Sequence, residues 1–146
     1  MAKANMFLLS IFVIASLCSP SHGLYLNGLR IGTISIRGVL HCTLNANLNA
    51  PPVSAQTVFI KCAGSSTNLG QAVTDITGAY TVVIRVVDTL VFDASSCRVV
   101  VVLPVATCAV FPPDGVLTAS ISLVSVLQNS VGNIANFITN QFVHSL

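Results

Sequence analysis

Cys97-Arg98-Val99-Val100-Val101-Val102-Leu103 is the stretch on which the fold turns. Four consecutive valines are stiff at χ1, crowd a helix and suit a pleated surface, so the run reads as a central strand that Pro104 stops. Cys97, Val99, Val101 and Leu103 share one face. That strand can lie opposite Val58-Phe59-Ile60-Lys61-Cys62, where Val58, Ile60 and Cys62 alternate with Thr57, Phe59 and Lys61.

Working outward, Ile34, Ile36, Leu40 and Cys42 fall on one side of a period-two pattern, with Thr33, Ser35, Arg37 and His41 on the other. Gly38 interrupts this strand, as expected of a bulge or a close backbone approach. The segment 45–52 combines asparagines with Pro51 and Pro52, carries no charge and reads as a loop. In Thr74-Asp75-Ile76-Thr77-Gly78-Ala79-Tyr80, Asp75 can bond nearby backbone and Gly78 can take positive φ, and Tyr80, Val82 and Ile84 restart the alternation. A hairpin is expected there. Short strands separated by turn signals predict a mainly β protein, a small antiparallel two-layer β-sandwich over 34–112.

Beyond Pro112-Pro113 the character changes. From Gly115 to Leu146 there is no Asp, Glu, Lys or Arg, while Leu117, Ile121, Val124, Leu127, Val131, Ile134, Ile138 and Phe142 recur at steps of three and four. That spacing predicts an apolar, amphipathic helical segment over 113–146, interrupted near Gly132, which either packs on the sandwich or seeks a lipid surface, the scarcity of Lys and Arg on its polar face favouring packing. If the tail acts by engaging lipid, a chain ending at Pro113 is expected to stay folded and lose its effect.

At the other end, Lys3 precedes an apolar run from Phe7 to Leu17 that gives way to Ser-Pro-Ser-His-Gly, with Ser21 and Gly23 placed for cleavage. This is the three-part pattern of an export signal over 1–23, and the run is about half of the ~20 residues a membrane-spanning helix needs. Its removal takes Cys18 and leaves Cys42, Cys62, Cys97 and Cys108, an even set suited to two disulfides in an oxidising compartment. Zinc would want close pairs such as C-x-x-C, and none occurs, so neither a metal nor another cofactor is expected. The remainder divides into an N-terminal segment, 24–33, followed by the sandwich and the tail.

Outside the signal the charges are Arg30, Arg37, Lys61, Arg85 and Arg98 against Asp75, Asp88, Asp93 and Asp114, nearly balanced and scattered. No basic patch is available for nucleic acid. A surface carried by Ser, Thr, Asn and Gln suits apolar or carbohydrate surfaces instead. Apart from His41 beside Cys42 and His144 near the end, no histidine is left to serve as a general base, and no carboxylate lies in a catalytic motif, so no enzyme is predicted. No Asn-x-Ser/Thr follows the signal.

The string Ile36-Arg37-Gly38-Val39-Leu40-His41-Cys42, followed by Val58 to Cys62, Thr74 to Tyr80 and Cys97 to Val101, resembles the plant pollen-allergen/extensin-like family typified by the major olive pollen allergen. With Pro104-Val105-Ala106-Thr107-Cys108 and the Leu/Ile/Asn-rich tail, the chain is similar to phylloplanin and its relatives over nearly all of its length after the signal. Thr-Asp-x-x-Gly-x-Tyr also occurs in transthyretin-like sandwiches, and the expected fold is of that transthyretin/immunoglobulin-like kind. The wider family has six cysteines; here the second and the last are absent, Asn45 standing where the second would fall. The resemblance implies disulfides between Cys42 and Cys108 and between Cys62 and Cys97. Loop entropy alone leaves the connectivity open, because nested loops would stabilise by about 4 kcal/mol each against about 3 for the local alternative.

What the resemblance implies for function is a secreted plant defence protein, acting at the plant surface on germinating or growing fungi and oomycetes without enzymatic chemistry. The competing expectation is a structural or binding module of the plant cell wall. Partners on these readings are a microbial surface or membrane, or wall and cuticle components, and the tail could bring chains together.

Overall fold

The structure is a computed structural model that describes residues 24–26, 28–63, 67–86, 92–130 and 132–146. The expected export signal at 1–23, with Cys18, and Asp88 lie outside the described residues. Nine strands follow in order: β1 (Leu24–Leu26), β2 (Leu29–Val39), β3 (Thr57–Cys62), β4 (Gly70–Val73), β5 (Ala79–Arg85), β6 (Cys97–Val102), β7 (Val116–Asn129), β8 (Gly132–Thr139) and β9 (Val143–Ser145). Ala94–Ser96 forms one 3-10 turn, capped by the Asp93 carboxylate accepting from Ser95 N–H.

These strands make one continuous sheet, not the two separate layers expected. The link is β7, long enough to serve both halves: Val116 to Ser120 pair with β6, and Ile121 to Asn129 pair with β8. From one end the order runs β4, β3, β6, β7, then β8, β2, with β1 and β5 sharing the far edge of β2 and β9 continuing the β8 side of β7. The sheet curls until β4 rests on β5 without a ladder. A Cβ on Gly70 of β4 would stand 2.8 Å from Val82 and 3.2 Å from Ile84 of β5, so only a glycine lets the two edges come this close. The segment around Asp75 and Gly78 is consequently no hairpin. It carries the chain across the curl, from β4 paired with β3 to β5 paired with β2.

The C-terminal helix is also overturned: residues 116–145 supply β7, β8 and β9. Spacing misled here for a physical reason. A register shift between Leu123 and Ser125 puts an extra residue, Val124, into β7 and reverses its in/out parity, and the turn to β8 reverses the chain. Of the eight apolar positions spaced by threes and fours, Val124, Leu127 and Ile138 face solvent, whereas Ala119, Ala135 and Phe137, off that stripe, are buried. A chain cut at Pro113 would lose the strand that joins the halves.

The concave side holds the core, with Ile34, Ile36, Val58, Ile60, Val82, Val99, Val101 and Leu117 all completely buried. Phe137 packs edge-on against Phe92 at 5.6 Å between centroids. Cys62 and Cys97 are cross-strand partners on β3 and β6 and are joined by a disulfide, and a second disulfide ties Cys42 in the loop after β2 to Cys108. β8 runs parallel to β2, the one parallel pairing among the described strands.

Candidate functional site

Two surface features are built by this fold. The first is a groove of about 240 Å³ where β2 and β8 end, walled by the loop that follows β2. Backbone bonds close the loop's base: Leu40 N–H donates to Gly78 O at 2.8 Å, Cys42 N–H to Pro51 O at 2.7 Å and Val53 N–H to Leu40 O at 2.9 Å. With Leu40 and Val53 buried beneath and Cys42 crosslinked to Cys108, the loop is anchored at its root while Asn47 and Leu48 project at the rim.

No Asp, Glu, Lys or Arg lines the groove. His41 Nδ1 lies 3.0 Å from Ala50 O, and a carbonyl can only accept, so Nδ1 carries the proton. The floor is braced by Tyr80, whose hydroxyl donates to Thr139 Oγ1 at 2.9 Å, and by Thr139 Oγ1, which donates to Arg37 O at 3.0 Å. Burial pushes the Tyr80 hydroxyl up to about 12, the bond to Thr139 offsetting part of the rise. This phenol is a strut, held neutral.

The second feature is the convex face of β4, β3, β6, β7 and β9. Cross-strand registers set Gln71, Phe59, Val100, Thr118 and Val143 side by side, with Val73, Val102 and Val116 in the next row. Val100 is buried yet stands apart from the core, covered by its neighbours on the outer side. Val73, Val102 and Val143 are half or more exposed. Lys61 and Arg98, cross-strand partners, border this apolar band.

The residues singled out in the sequence are thus distributed. Cys42, Cys62, Cys97 and Cys108 are all engaged in the two disulfides, which leaves no thiol among the described residues. His41 lines the groove, while His144 sits on β9 with Nε2 2.9 Å from Asp114 O. Among the described residues neither ring is hydrogen-bonded to a hydroxyl, and no cluster of three His, Cys, Asp or Glu could hold a metal. Asp75 accepts from Thr77 N–H at 2.8 Å, Thr77 Oγ1 at 2.6 Å and Ala79 N–H at 3.1 Å, and these bonds hold its carboxyl below the usual range. Asn47 and Gln141 escaped sequence reasoning because amides in loops have no periodicity to betray them. The asparagine-rich, charge-free loop at 45–52 was the available signal.

Against known proteins, the chain matches the family described as Phylloplanin antifungal protein over residues 30–146. That match supports the phylloplanin side of the resemblance and adds nothing to its pollen-allergen and extensin-like side. No curated protein matches. Among solved structures, the crystal structure of a 9R-lipoxygenase from Cyanothece is 11% identical, with a TM-score of 0.26 over 79% of this chain and 14% of that one. The chain therefore spans about a seventh of the lipoxygenase, and the likeness carries no weight for fold or chemistry.

Proposed function

We propose, since the chain belongs to the phylloplanin antifungal protein family, that it is a secreted plant surface protein which inhibits germination or growth of fungal and oomycete pathogens without catalysis. The observation that carries this reading is the family match across residues 30–146, which takes in all of β2 but its first residue and the seven strands that follow it. The structure is consistent with life outside the cell. Two disulfides close long loops, and the convex face offers exposed valines and few charges to a waxy or lipid surface. Purified protein added to germinating spores should shorten germ tubes in proportion to dose. Germ tubes of equal length with and without it would reject the reading.

The groove favours a second reading, a binding module of the plant cell wall, because the polar side chains of Asn47, Asn140 and Gln141 share it with apolar ones and no Asp, Glu, Lys or Arg lines it. Location separates the two. Recovery in an aqueous rinse of leaves supports the surface protein, and retention on wall material through a high-salt wash supports the wall module, whose contacts would be insensitive to salt for want of charge.

A further inference from the structure

We infer that the groove at the ends of β2 and β8 is a binding site for a neutral pyranose sugar, taken as a terminal or internal residue of an uncharged glycan. The inference comes from the hydrogen-bonding capacity that the fold leaves unspent. His41 gives its Nδ1 proton to Ala50 O, which leaves the ring's Nε2 without a partner among the described residues. Gln141 donates from Nε2 to Leu44 O at 2.9 Å, which fixes the amide and leaves Oε1 as an acceptor. Asn47 accepts at Oδ1 from Asn49 N–H at 3.0 Å, which leaves both protons of Nδ2 as donors.

The other polar side chains of the groove are already occupied. Asn140 donates to Ser120 Oγ at 2.9 Å and Ser122 Oγ at 3.0 Å, and Thr43 Oγ1 donates to Asn45 Oδ1 at 2.6 Å. The Nε2 of His41, one amide acceptor and one amide donor, each on a side chain oriented by a backbone partner, thus share the groove with the apolar side chains of Val39, Leu48 and Phe142. A sugar matches that set. Each hydroxyl both donates and accepts, and the C–H face of the ring supplies apolar contact. A groove of about 240 Å³ suits one sugar ring. Carboxylated or amino sugars would bring a charge for which the lining has no fixed counter-charge.

Neutral glycans of this kind come from microbial walls and from plant walls, and the same hydrogen bonds serve either. The test titrates the full exported chain, ¹⁵N-labelled, with β-1,3-glucan hexamer, chitin hexamer and cellulose hexamer, and with an oligogalacturonide as the charged comparison. Saturable shifts confined to residues 39–48 and 139–142 with one or more neutral hexamers, and not with the galacturonide, are expected. Gln141→Ala and His41→Phe should each weaken that binding at least tenfold while leaving the rest of the spectrum intact, and Thr81→Ala on the convex side of β5 should not. Binding of the chitin hexamer alone would identify a microbial source, since plants make no chitin. No shift with any neutral hexamer, shifts elsewhere, or equal binding by the Gln141→Ala and His41→Phe proteins would overturn the site. The outcome is independent of the spore assay: a chain that binds glycan yet leaves spores unaffected loses the antifungal reading and keeps this one.

Discussion

The Tyr80 ring lies over Gly38, its direct cross-strand partner, so closely that a Cβ on Gly38 would stand 2.6 Å from Cζ of the ring and 2.7 Å from Thr139 Oγ1. The glycine is what allows the phenol to reach across β2 to β8 and brace the parallel pair. Bare glycine in a strand weakens it, and here the aromatic cover offsets that weakness.

Gly38→Ala should therefore destabilise the protein by about 2 kcal/mol, the usual cost of forcing extra volume into a packed site. Tyr80→Phe should cost about 1 kcal/mol, the net worth of one hydrogen bond. Urea denaturation followed by circular dichroism measures both. An unchanged midpoint for Gly38→Ala would mean that the ring can move aside.

Stability should fall on the alkaline side through the same residue. The Tyr80 pKa is raised above its unfolded value of 10 to about 12 by burial, so the folded state favours the neutral phenol. Its contribution is complete below pH 10 and vanishes as pH rises through 12, amounting to about 2 to 3 kcal/mol at the most. Tyr80→Phe should flatten this slope between pH 10 and 12; a slope identical to that of the parent chain would assign it to other groups.

Acid acts in the opposite sense. Asp75 and Asp93 are lowered from 3.8 by hydrogen bonds from Thr77 and Ser95 respectively, so what they contribute is present above pH 3.8 and is lost as pH falls below it. Asp75→Asn should leave the unfolding midpoint less sensitive to pH in that range. The comparison needs only thermal melts at pH 2 to 5.

Each disulfide should matter more than any single side chain. The Cys42–Cys108 and Cys62–Cys97 crosslinks span 66 and 35 residues, for which the chain-entropy model gives about 4 kcal/mol apiece. Replacing either pair by serines should lower the denaturation midpoint by that order. Intact mass before and after alkylation without reductant should show no free thiol among these four.

Truncation at Pro113 should abolish folding, since it removes the strands between β6 and β2. A cooperative melt from that shortened chain would contradict the single-sheet architecture.

Much of the sheet was legible in the sequence because β3 and the part of β2 after Thr33 obey period two, and in β6 Cys97, Val99 and Val101 do so as well, Val100 being buried besides on the other face. Asp75 and Gly78 likewise announced a turn, with Gly78 at φ +80. Their turn did not announce what it joined, because local backbone chemistry is the same for a hairpin and for a crossing between halves. The tail was misread since one extra residue at Val124 destroys the parity on which strand recognition depends. The pairing of β2 with β8 left no trace at all, its partners lying about a hundred residues apart in the chain. His41 stood out as a rare residue type, whereas Asn47 and Gln141 acquire meaning only when folding consumes half of each amide.

The place of β8 between β2 and β7 sets the order of events during biosynthesis. Residues 29–39 emerge from the ribosome early, yet the strand that completes one of their two edges is among the last to appear. Closure of the sheet must await synthesis of the strand at 132–139, and slow acquisition of the native state follows from contacts so distant along the chain. A nascent chain that cannot close prematurely is one that translocation machinery can still thread.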